Sequence, residues 1–276
     1  MTAGALDQVA AWPATAAVGV VTADGRRLAT GPASRVFRWA SVTKIVAALA
    51  TLVAVEEGVI GLDDPAGPPG ATVRHLLAHA SGLPIDAGAP VAAPGRRRIY
   101  SNAGFEAAGT ALADASGIPI TDYIGEAVLR PLGMTGTTVV SSPAWGASGP
   151  LDDLLSFGHE LMVPTLVAPE TMAAATRVAF PLLDGVLPGF GRQRPNDWGL
   201  GFELRDHKSP HWTGSANAPS TFGHFGRSGA FVWVDPTVPL VCAGVADRDF
   251  GPWAAEAWPR LADAVLASFD GRAPGA

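Results

Sequence analysis

One cysteine, two lysines and two tyrosines in 276 residues leave little material for several kinds of chemistry. The lone Cys242 excludes an internal disulfide, and its place in the apolar run 240–245 reads as a strand with a buried thiol. Only 16% of the residues are charged while 48% are apolar, which excludes the disordered class. The 33 glycines and 24 prolines follow no three-residue period, so a collagen-like chain is excluded as well. Acidic residues outnumber basic ones by 25 to 19, a net charge of −6 with no basic field for phosphates. Nucleic acid and anionic membrane surfaces are therefore not expected partners, and a small molecule is. The longest relevant apolar run, 45–55, falls far short of the ~20 residues that span a bilayer. No basic residue precedes Arg26, and Asp7 stands before the first apolar stretch. With Met1 as the start, the charged segment of an export signal is missing, and the expected location is cytoplasmic.

At roughly 150 residues per domain, the length implies one large domain or two intimate halves. Residues 17–21 and 26–28 flank an Asp24-Gly25 turn and read as a hairpin. From Ser41 the spacing becomes helical, with Ile45, Leu49, Leu52 and Val53 on one face and Gly58 as a C-terminal cap. Helices are predicted over 73–79, 103–115, 121–129 and 151–162, strands over 199–204, 222–224, 230–235 and 240–246, and a last helix near 253–269. The predicted fold class is α+β. Residues of about 1–60 and 195–276 share one antiparallel sheet flanked by helices, and 61–194 form a mainly helical part.

Three short segments carry candidate chemistry. In Ser41-Val42-Thr43-Lys44 a serine at a helix start and a lysine three residues on lie one turn apart on one face. Either Lys44 activates the Ser41 hydroxyl, or Ser41 caps the helix and Lys44 is solvated. With two lysines and 14 serines, such a spacing arises by chance only ~0.1 times in this chain. Tyr100-Ser101-Asn102 precedes a helix and offers a phenol and an amide to a pocket, or simply caps that helix. Gly223-His224-Phe225-Gly226-Arg227-Ser228-Gly229 opens a strand, where glycines allow close approach of a substrate or merely make a turn. His75 and His79, at i and i+4, read as packing or capping residues, since no third metal ligand is evident. His207 and His211 flank a Ser-Pro loop and are expected in solvent. Trp198, Trp212, Trp233, Trp253 and Trp258 are expected in core and pocket wall. The absence of a G-x-S-x-G motif argues against an α/β-hydrolase.

Together the segments FRWASVTK (37–44), VRHLLAHASGL (73–83), YSN (100–102), LRPLGMTGT (129–137), WGLGFEL (198–204) and GHFGRSGAFVWVDP (223–236), with LDDP at 62–65, resemble the serine β-lactamase and penicillin-binding-protein superfamily. The similarity is to its branch of class C β-lactamases, D-alanyl-D-alanine carboxypeptidases and related esterases. It implies a β-lactamase-like fold with Ser41 as the acylated nucleophile, Lys44 as its proton-accepting or pKa-lowering neighbour, and Tyr100 as general acid/base. It further implies that Asn102 positions the acyl side and that His224-Phe225-Gly226 stands where the family carries Lys-Thr-Gly. The backbone N–H groups of Arg227 and Ser41 would then form the oxyanion hole. No cofactor or metal is implied.

The expected activity is a serine hydrolase acting through an acyl-serine intermediate, with small esters favoured over β-lactams and D-Ala-D-Ala peptides. A histidine at 224, with a reference pKa of about 6.5, is mostly neutral where the family's lysine is charged. The expectation is that activity on carboxylates improves as His224 gains a proton on acidification. A catalytically silent binding domain is the alternative of another class. No partner beyond the small-molecule ester or amide substrate is expected.

Overall fold

The computed structural model describes residues 3–269. In chain order the elements are β1 (Ala16–Thr22), β2 (Arg27–Thr30), β3 (Phe37–Arg38), α1 (Thr43–Glu56), α2 (Val73–Leu77), α3 (Asn102–Ser116) and α4 (Ile120–Ile124). They continue with β4 (Thr138–Val139), β5 (Ala147–Gly149), α5 (Leu151–Met162), α6 (Pro169–Ala175), β6 (Gly185–Leu187) and β7 (Gly191–Gln193). The chain closes with β8 (Glu203–Leu204), β9 (Phe222–Phe225), β10 (Phe231–Asp235), β11 (Leu240–Ala246) and α7 (Pro252–Phe269).

Six strands form an antiparallel sheet in the order β2-β1-β11-β10-β9-β8, so the first and last strands of the chain lie side by side within it. Both faces of this sheet are covered, which explains why β1 and β11 are buried along their whole length rather than alternating. Val241, Ala243 and Val245 join one core with α1 and α5, whereas Leu240 and Cys242 join the other with Trp212, Trp233 and Trp258. The Cys242 thiol is buried in β11 as expected, and Trp198 is buried too, while Trp253 only packs against the second core.

The α+β fold class, the shared sheet and the N-terminal hairpin agree with the sequence reading. Gly58, at φ +72°, follows α1 and donates to the Val55 carbonyl, ending the helix in a conformation that favours glycine. Several boundaries differ. The helix expected over 73–79 ends at Leu77 because His79 takes a left-handed φ of +55°. The strand expected over 199–204 shrinks to Glu203–Leu204 because Gly201, at φ +90°, turns the chain against α1. The Gly201 backbone packs so closely there that a Cβ would stand 2.3 Å from that of Ala48. The helix predicted over 121–129 passes from α4 into a π-helical turn at Gly125–Leu129. Helix α6 was not expected, since its seven residues bury only Met172 and Ala175, too few for a period. Within the 61–194 stretch, α5 lies directly on β11, β1 and β10.

Gly158 is what lets α5 lie so close. A Cβ there would come within 2.5 Å of Val241 Cγ1 and 3.3 Å of Val232 Cγ2. Alanine normally favours a helix over glycine by about 0.5–1 kcal/mol, but overpacking a rigid core costs about 1–3 kcal/mol. Gly158→Ala should therefore lower the urea midpoint. Gly125→Ala, where nothing lies within 4 Å of the added methyl, should leave it unchanged or raise it. Equal midpoints for the two variants would contradict this packing.

Candidate active site

Ser41 is held half-buried in a single 3-10 turn, Ala40–Val42, that feeds α1. Ala40 adopts φ +45°, a left-handed conformation that costs an L residue roughly 1–2 kcal/mol. Surrounding contacts hold it there. Thr43 Oγ1 donates to the Ala40 carbonyl at 2.6 Å and accepts the Ala147 N–H at 2.9 Å. The Trp39 N–H donates to the Ala147 carbonyl and its indole N–H to that of Gly149. From the large sheet, Ser228 Oγ donates to the Arg38 carbonyl at 2.6 Å. Gly226 lies on the Trp39 carbonyl so tightly that a Cβ would stand 2.1 Å from its oxygen. That approach is what the glycine in the third segment is for, and it brings the backbone after β9 beside the Ser41 N–H. The Arg227 N–H has no acceptor among the described residues, so it is free to serve an oxyanion.

Lys44 is fully buried one turn beyond Ser41. Its Nζ donates to the Asn102 Oδ1 at 2.7 Å and the Ala144 carbonyl at 2.9 Å, lies 3.4 Å from Ser41 Oγ, and sits 4.8 Å from the centre of the Tyr100 ring. Burial brings its pKa down to about 7, although the carboxylates of Glu106 and Asp86 pull the other way. The solvated alternative for Lys44 is thereby excluded, and an amine with this pKa is a proton acceptor at neutral pH. Tyr100 faces Ser41. Burial of its hydroxyl raises its pKa above the ordinary phenol range, and the contact with the Ser41 hydroxyl pulls it back only in part. Ser101 caps α3 by accepting the Gly104 N–H at 2.8 Å. The capping role weighed from sequence therefore falls on the residue between Tyr100 and Asn102 and leaves both of those free. Asn102, expected to face the acyl side, gives its carbonyl to Lys44 and one N–H to Asp86 Oδ1 at 3.0 Å. Only its second N–H remains for a substrate.

His224 departs from expectation. It is only 3% exposed, its Nδ1 donates to the Phe225 carbonyl at 2.7 Å, and its Nε2 has no partner among the described residues. Burial, with the nearby Lys44 charge, lowers its pKa to about 3, so it stays neutral through the range in which a solvated imidazole titrates. The expected gain of a proton on mild acidification does not occur. Arg227 extends into solvent, 3.7 Å from Asp249. A cavity of about 490 Å³ joins these groups, lined by Ser41, Tyr100, Asn102, His224 and Arg227, by the apolar side chains Ile85, Leu187, Pro188, Trp198, Phe225 and Phe250, and by Asp86 and Glu203.

The sequence reading missed Glu203. Its carboxylate is buried, pairs with Lys208, and accepts from His211 Nε2 at 2.8 Å and Trp212 Nε1 at 2.9 Å. His211, expected in solvent, is thus buried on a carboxylate, and only His207 is exposed. A lone acid inside the apolar stretch WGLGFEL was the available signal. His75 bonds Thr72 and stacks on Phe180 at 4.3 Å, apart from His79, so the two histidines have separate packing roles.

With this geometry in place, the comparisons decide the family. The Beta-lactamase family model matches residues 11–267. The chain belongs to the beta-lactamase family. A beta-lactamase structure from Mycobacterium bovis is 51% identical, superposes with a TM-score of 0.95, and is covered over 96% of this chain and 99% of its own. The D-alanyl-D-alanine-carboxypeptidase/endopeptidase AmpH of Escherichia coli is 34% identical over 39% of this chain and 38% of its own length. Penicillin-binding protein 4* of Bacillus subtilis is 27% identical over 54% of this chain and 40% of its own. The matches thus span about two fifths of these curated relatives. EstCE1, described as a hydrolase with promiscuous acyltransferase activity, shares the fold with a TM-score of 0.75 at 17% identity. The family is one of serine hydrolases, and the fold is the β-lactamase-like one that the sequence motifs imply.

Glu203 gives this beta-lactamase-family chain a pH signature. Burial alone would raise its pKa, but His211 and Lys208 overcome that and hold it at about 2 against an ordinary 4.5. A carboxylate depressed in this way contributes stability above its unfolded pKa and loses it as pH falls toward the folded one. Wild-type stability should therefore drop between pH 4.5 and 2. Glu203→Gln, which leaves the buried Lys208 without its counter-charge, should cost about 3–5 kcal/mol at pH 7 and flatten that drop in urea titrations. A neutral effect of the substitution would contradict the pairing.

Proposed function

We propose that the protein is a serine hydrolase that forms an acyl-Ser41 intermediate from small uncharged esters. The observation that carries this reading is the buried Lys44 amine, 3.4 Å from Ser41 Oγ and with a pKa near neutrality. In its neutral form Lys44 Nζ takes the Ser41 proton as Oγ attacks the ester carbonyl. Charge developing on the carbonyl oxygen is received by the N–H groups of Ser41 and Arg227. Tyr100, kept as a phenol by its raised pKa, gives a proton to the departing alkoxide and is reprotonated from the lysine ammonium. Water then adds to the acyl group, losing its proton along the same route, and Ser41 leaves with that proton restored.

Preference for uncharged esters rests on what lines the cavity. His224 is neutral, Arg227 is exposed and beside Asp249, and Asp86 and Glu203 are carboxylates, so a substrate carboxylate finds no desolvated cation outside the reacting centre. Ile85, Leu187, Pro188 and Phe250 suit a short acyl chain. Hydrolysis of β-lactams is the second reading, favoured by the name of the 51%-identical Mycobacterium bovis relative.

Ser41→Ala should abolish labelling by a fluorescent alkyl phosphonate and ester turnover without changing the fold; undiminished labelling would overturn the assignment of the nucleophile. Tyr100→Phe should lower kcat on an unactivated ester by ~10²–10⁴-fold, and less on a p-nitrophenyl ester, whose leaving group needs little protonation. At pH 7.5 p-nitrophenyl butyrate should be hydrolysed faster than nitrocefin; the reverse order selects the second reading.

Because the neutral amine is the working form, kcat/KM should rise with pH to a plateau through about pH 7. Glu106 holds that pKa up, so Glu106→Gln should move the limb to lower pH. An unmoved limb would show that another group controls it.

A further inference from the structure

His79 takes no part in the steps above, yet it carries two costs that packing alone does not repay. Its backbone is left-handed, at φ +55°, a conformation unfavourable for any L residue although less so for histidine than for most. Its ring is 1% exposed, and Nε2 is buried without a partner among the described residues. In return it makes three contacts that bracket one residue. The Ile99 N–H donates to the His79 carbonyl at 2.9 Å, the Ser101 N–H donates to His79 Nδ1 at 3.1 Å, and the imidazole lies against the Tyr100 ring at 4.7 Å between centroids. The residue before Tyr100, Tyr100 itself and the residue after it are all held by one side chain and its own backbone. Strain at such a position persists only where surrounding contacts require it.

Accepting a backbone N–H at Nδ1 fixes the neutral tautomer with its proton on Nε2. Burial, with the Lys44 and Arg98 charges nearby, keeps the ring unprotonated, so the Nδ1 lone pair stays available to Ser101. We propose that His79 is a positioning residue that aims the Tyr100 hydroxyl at Ser41 by gripping the main chain on both sides of the tyrosine. The proposal rests on the reading of Tyr100 as the proton donor to the leaving group.

Two substitutions of similar polarity separate aim from bulk. Asparagine tolerates the left-handed backbone and places Oδ1 where Nδ1 stood, whereas glutamine carries no acceptor at that point. With an unactivated ester such as ethyl butyrate, His79→Gln should lower kcat about tenfold or more with KM within about twofold. Its stoichiometry of phosphonate labelling at Ser41 should be unchanged. His79→Asn should stay within about threefold of wild type. In a Tyr100→Phe background, His79→Gln should cost nothing further, because the group it aims is already gone.

An additive loss in that background, or a loss in His79→Asn equal to that in His79→Gln, would overturn the positioning role. If His79→Gln does not fold, His79→Asn decides alone: near wild-type kcat supports the proposal and a tenfold fall overturns it. Should Tyr100→Phe itself retain full turnover of the unactivated ester, the reading of Tyr100 fails and this proposal with it. An impaired Tyr100→Phe with additive losses sinks only the role of His79.

Discussion

Burying an amine is the constraint around which this site is organised. Lys44 has no exposed surface, so its ammonium form has given up water for one amide oxygen, one backbone carbonyl, a serine hydroxyl and two aromatic faces. Too few partners would expel the side chain, and a directly bonded carboxylate would hold the proton permanently. Here the carboxylates of Asp86 and Glu106 act only at longer range, Asp86 through the Asn102 amide. The lysine is left poised near neutrality, which is the condition for moving a proton in both directions during a catalytic cycle.

That amine matters only because the backbone brings three distant segments onto it. The turn into α1 supplies Ser41 and α1 itself Lys44, the start of α3 supplies Asn102, and the turn after β9 supplies the amide of Arg227. The third approach depends on the absence of one atom, since the Gly226 Cα rests where a side chain would strike the Trp39 carbonyl. The strained φ of Ala40 and the hydrogen bonds of Thr43 and Trp39 to β5 hold the other side of the same junction. A central sheet buried on both faces gives the junction a rigid base, and α7 and α5 keep its two cores dry.

Behind the cavity wall a second buried charge cluster has a different character. Glu203 accepts from Lys208, His211 and the Trp212 indole, so its carboxylate is held ionised and is not a poised acid. Their contribution is to the shape of the wall that Glu203 and Trp198 present to the cavity. Such a cluster is costly to break and of little net benefit to form, which makes it a device of geometry rather than of stability.

Residue types and spacing were enough to reach the fold class, the sharing of one sheet by strands from both ends of the chain, and the Ser41, Lys44 and Tyr100 segments, because apolar period and rare residues are local properties of a chain. The same reasoning could not place His211, which looks like a loop residue until Glu203 folds over it, nor see that Asn102 spends its carbonyl on Lys44. It put His224 in the right segment but gave it a solvent pKa, since only burial lowers that value to about 3. Likewise the left-handed turn at His79 and the missing Cβ at Gly226 have meaning only against partners 22 residues and about two thirds of the chain away. The sequence determined which groups are present and in what order. The tertiary structure decided which are desolvated and which are paired, and protonation state follows from those two conditions alone.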